Sequence, residues 1–84
     1  MNSPSILDSS PAQVLVTGWR VGAQTVSAIE VIRTASQLGL AEAKQLVERV
    51  LSGAAVVVKV DSIGVAQELF TTLDRLSFDA DVFN

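Results

Sequence analysis

Two aspartates, Asp79 and Asp81, two lysines, Lys44 and Lys59, and scattered serine and threonine hydroxyls are the residues through which this chain could do chemistry. Paired carboxylates can hold a metal ion, a lysine can act as a base, and a hydroxyl can attack once a base activates it. The spacing argues against each. Asp79 and Asp81 alternate with Phe78, Ala80 and Val82, so on a strand both carboxylates face solvent. Lys44 and Lys59 are single lysines on polar faces, where a long stem keeps its charge in water. The sequence has no histidine and no cysteine. That removes the commonest general base, the commonest transition-metal ligand and any thiolate site. The glycines match neither a phosphate loop nor a dinucleotide fingerprint. The expectation is a chain without catalytic residues, metal or cofactor, and so not an enzyme.

The elements that would carry another kind of function must fit in 84 residues, enough for one small domain. Hydrophobic residues make up 49% of the chain, supplied mainly by alanine, valine and leucine. The net charge is −3 and the six Lys and Arg residues are scattered, so no basic stripe suits nucleic acid. The longest apolar runs, such as Ala54 to Val58, are too short to span a bilayer. The opening MNSPSILDSSP lacks the basic region and apolar run of a signal peptide. A cytoplasmic protein with no membrane partner is expected. Residues 1–11, rich in serine and proline, are expected to form a disordered or loosely attached tail before a domain over 12–84.

Periodicity sets the elements. A first strand over Ala12 to Arg20 puts Val14, Val16 and Gly18 on one face and Leu15, Thr17 and Trp19 on the other. The first helix begins near Gln24 or Thr25 and turns Ala28, Val31, Ile32 and Ala35 inward. Val26, Ile29 and Arg33 form a second row, and burying both rows would demand a larger protein. Gly39 is a natural left-handed stop for this helix. The second helix has a clean inward stripe of Ala43, Leu46, Val47, Val50 and Leu51, and ends at Ser52-Gly53. A strand from Ala55 to Val60 places Val56, Val58 and Val60 together and Lys59 opposite. Ser62 suits the N-cap of a third helix whose inward positions are Val65 or Ala66, Leu69, Leu73 and Leu76. The last strand runs from Phe78 to Phe83. The class is α+β, ordered β-α-α-β-α-β. Its three-stranded antiparallel sheet has the first strand central and three helices on one face. The other sheet face would carry Leu15, Trp19 and Val57, which suggests a weak homodimer.

The run Leu38-Gly39-Leu40-Ala41-Glu42-Ala43-Lys44, continued by Leu46, Val47 and Glu48, resembles the C-terminal domain of the bacterial ribosomal large-subunit stalk protein. Arg33 falls on that family's arginine, and Val26 and Ile29 on two of its exposed apolar positions. The resemblance extends through Ser62, Ala66, Leu69 and Leu73 and covers most of residues 12–83. It implies the same fold and a protein-binding surface on the first two helices, which in the family receives translation factors and supports their GTP hydrolysis. Carried over by residue, that surface comprises Val26, Ile29, Arg33, Gly39, Leu40 and Lys44. Family lysines correspond to Thr25, Glu30 and Ala41 here, so positive charge is reduced and at Glu30 reversed. The family's dimerising helices and hinge have no counterpart in these residues, so a stand-alone relative is expected. An alternative is an adaptor like those of the Clp protease, which resemble the same fold and deliver substrates to a chaperone. A third is a structural domain that self-associates through the open sheet face.

Overall fold

The computed structural model describes residues 11–83, so residues 1–10 of the expected tail lie outside the described part. Six elements follow in order: β1 (Ala12–Trp19), α1 (Thr25–Ser36), α2 (Leu40–Leu51), β2 (Val56–Val60), α3 (Ile63–Arg75) and β3 (Phe78–Phe83). The sheet order is β2-β1-β3, with both pairings antiparallel, so the first strand is central. This is the expected α+β arrangement.

Alternation along the strands decides which face is covered. Ala12, Val14, Val16, Val56, Val58, Val60 and Phe78 are buried, and their neighbours along each strand are exposed or half-buried. The helices add Ala28 and Ile32, then Ala43, Val47 and Val50, then Ala66, Leu69 and Leu73, to the same cluster. The helices therefore share the core of one sheet face. Each helix also carries one alanine with no exposed surface: Ala28, Ala43 and Ala66. A side chain this small lets a helix approach its neighbours closely, and nothing larger fits without overpacking.

Local signals explain most helix ends. Val65 N–H donates to Ser62 Oγ at 3.2 Å, as expected for an N-cap. Gly53 (φ 102°) follows α2, with Gly53 N–H and Ala54 N–H returning to the Val50 and Arg49 carbonyls. The junction between α1 and α2 differs from expectation. Gln37, not Gly39, takes the left-handed conformation at φ 61° and donates its N–H to Arg33 O. Gly39 is extended (φ −69°, ψ 162°) and caps α2. Its N–H donates to Glu42 Oε1 at 3.2 Å, half of a capping box, since glycine has no side chain for the reciprocal bond.

The second difference lies in β1. Val16 pairs with Ala80 but Gly18 with Asp79, so a β-bulge at Thr17 adds one residue to the central strand. Cross-strand partners share a face. The bulge therefore moves Trp19 from the open face, where Leu15 lies, to the helix side opposite buried Phe78. Arg20, next along the chain, accordingly reaches the open-face carboxylate of Asp79, Nε to Oδ1 3.3 Å. Trp19 sits at the strand end and stays half-exposed.

Candidate protein-binding surface

The second apolar row of α1 divides on folding. Val26, in the first turn, is 75% exposed. Arg33 lies seven residues on, about 10 Å along the helix and on the same side. Ile29, between them, is half-buried and packs against the core, so it is a supporting side chain rather than a free contact. The two helical periods place Ile29 closer than Val26 to the Ala28–Ile32 stripe, and that proximity decides the split.

Arg33 carries a partner that the sequence reading did not assign. Its Nη2 donates to Glu30 Oε1 at 2.8 Å, an i,i+3 pair with both side chains about half-exposed. Such a pair contributes only about 0.2–0.5 kcal/mol. The guanidinium can therefore turn to an external carboxylate at small cost. Glu30 thus neutralises Arg33 in the free domain. The signal was legible in the spacing of the two residues.

On α2, Leu40 is the first helical residue and 56% exposed, and Lys44 follows one turn later, also exposed. Lys44 makes no ion pair among the described residues. The connection from Gln37 to Gly39 is only three residues long, and α1 and α2 pack together. Arg33 and Leu40 therefore flank one short junction, with Gly39 exposed at the start of α2. The structure thus exposes Val26, Arg33, Gly39, Leu40 and Lys44 on two adjacent helices and withdraws Ile29.

The opposite flank of α1 has another character. Between α1 and α3 runs a groove of about 530 Å³ with Val31, Ala35 and Leu69 in its floor. Glu30, Asp61 and Glu68 stand around it, and no basic residue lines it. Val31 and Ala35, expected inside, are half-buried because this groove opens beside them.

Of the residues first considered for chemistry, Asp79 is engaged by Arg20. The same guanidinium donates through Nη2 to Asp74 O (2.8 Å), Asp74 Oδ1 (3.1 Å) and Phe78 O (3.2 Å). It ties the end of β1 to the C-terminal turn of α3, where a cation complements the negative end of the helix dipole. No sequence motif announced this anchor, because its partners lie more than fifty residues away. Among the described residues no group of three or more His, Cys, Asp or Glu is placed to hold a metal ion. No helix there is long and apolar enough to cross a membrane. No protein-family model matches the chain, and no curated protein sequence matches it significantly.

Proposed function

We propose that this domain is a non-catalytic protein-binding module that receives its partner on the surface of α1 and α2. The observation that carries this reading is the exposure of Val26 and Leu40 on two adjacent helices that also present Arg33 and Lys44 to solvent. Isolated apolar side chains among charges suit an interface in which a few central contacts supply most of the energy. The resemblance of the Leu38–Lys44 run to the ribosomal stalk domain supports a translation factor as the partner class. Such a partner implies a cytoplasmic location.

The test is titration of the isotope-labelled domain with a translational elongation factor, followed by NMR. Amide shifts should concentrate at Val26, Arg33, Gly39, Leu40 and Lys44. Truncating a central contact costs about 2 kcal/mol or more, so Val26→Ala or Leu40→Ala should weaken binding by about thirtyfold. Shifts confined to the α1–α3 groove or to the sheet would overturn the reading, as would no shift at any factor concentration tried.

A further inference from the structure

We infer that the open face of the sheet is a contact between two copies of this chain, related by a two-fold axis parallel to β1. The inference rests on residues outside the α1–α2 surface and stands independently of it. The register places the open-face side chains in rows. Lys59, Gln13 and Phe83 form one row, and Val57, Leu15 and Asp81 the next. Val57 is 45% and Phe83 51% exposed, with Leu15 half-buried between the edges.

Charge on this face is divided by strand. The β2 edge carries Lys59, and the β3 edge carries Asp79 and Asp81. Arg20 already occupies Asp79, whereas Lys59 and Asp81 make no ion pair among the described residues. A two-fold axis parallel to β1 exchanges the two edges. Each β2 then lies over the other copy's β3, and each Lys59 sits in the row of Phe83, one row from Asp81. Packed sheets stand about 10 Å apart, and residues two apart on a strand are separated by about 6.6 Å. A lysine and an aspartate can close that diagonal, and the ring of Phe83 offers the ammonium a face. Leu15 of one copy meets Leu15 of the other on the axis. The perpendicular in-plane axis would instead set lysine edge over lysine edge and aspartate edge over aspartate edge. Charge thus selects one symmetry.

Size limits the strength. Three short strands span a face about 20 Å by 15 Å, on the order of 300 Å² in plan, against about 800 Å² per partner in a stable interface. Association should therefore be weak and appear only as the concentration is raised to about 1 mM, the weak end of the affinity scale.

Sedimentation equilibrium of the full chain up to that concentration tests the inference. Average mass should climb toward twice the chain mass and fall back when salt is raised, since exposed pairs are screened. Lys59→Asp should weaken association by about tenfold or more through like charges, and Lys59→Asp combined with Asp81→Lys should restore it. Circular dichroism melts of both variants confirm that they fold. A chain that stays monomeric to 1 mM overturns the inference. So does association that Lys59→Asp leaves unchanged or that the charge swap fails to restore. Contacts from Leu15 and Val57 methyls to Ile6 or Leu7 within one monomer would assign the face to the chain's own N-terminal segment, and also overturn it.

Discussion

The surface of α1 and α2 and the open face of the sheet expose similar side chains in opposite arrangements. On the helices, Val26 and Leu40 stand apart, each with a basic residue on its own helix, and charge is mixed: Arg33 is held by Glu30, while Lys44 has no ion pair among the described residues. On the sheet, Leu15 and Val57 sit side by side and charge is segregated to opposite edges. The difference follows from geometry. A helix returns to the same side only every three or four residues, so polar residues interrupt its exposed stripe. A sheet aligns residues from separate strands, so apolar neighbours adjoin and each strand keeps its own charge. Mixed charge suits an unlike partner. Charge divided across a central strand is self-complementary.

The largest effect on this comparison should come from beneath the helices. Ala43 has no exposed surface, so Ala43→Leu should cost about 1–3 kcal/mol by overpacking. At roughly 4–8 °C per kcal/mol for a domain this size, a thermal melt would read it easily. An unchanged melt would mean that α2 is not closely packed and that its surface is not a rigid platform.

Next, Ile29 and Val26 should respond differently although both belong to one sequence row. Ile29→Ala removes a half-buried core contact and should cost about 1–2 kcal/mol, below the 2–5 of a fully buried isoleucine. Val26→Ala should stay within about 0.5 kcal/mol. Denaturant midpoints that move equally for both would erase the division between supporting and contacting residues.

Arg20→Ala should destabilise by about 1 kcal/mol, since its ion pairs are half-exposed but it also bonds two carbonyls. It would also release Asp79 on the sheet. Strengthened association of that variant at low salt would sharpen the electrostatic account of the open face, and weakened association would contradict it. The smallest effect is expected for Val57→Thr, within about 0.5 kcal/mol because the site faces water in the monomer. A larger loss in urea unfolding would show that something within the chain covers that face.

The junction after α1 shows how far local chemistry carries. A left-handed residue was expected at Gly39 because glycine adopts it most cheaply. Gln37 takes it instead, and Glu42, three residues beyond Gly39, binds the Gly39 N–H as a helix cap. Both signals were present in one short run, and two possible roles for Gly39 competed. Ile29 is a similar case. Its position on the helix wheel was legible, but its burial depends on what packs beside α1.

Sequence alone determined the six elements, their antiparallel order and nearly all of the core, because the period-two and 3.6-residue patterns are properties of neighbouring residues. It also determined the absence of histidine and cysteine, the solvent-facing position of Lys44 and a second apolar row on α1 that includes Val26. Only the tertiary structure decided the bulge at Thr17, the transfer of Trp19 to the helix side, the hold of Arg20 on α3 and β3, and the edge-to-edge division of charge. Each of these is a relation between residues distant in the chain. A strand's alternation says which residues share a face only while its register holds. That register is set across the sheet, by the partner strand and the packing behind it.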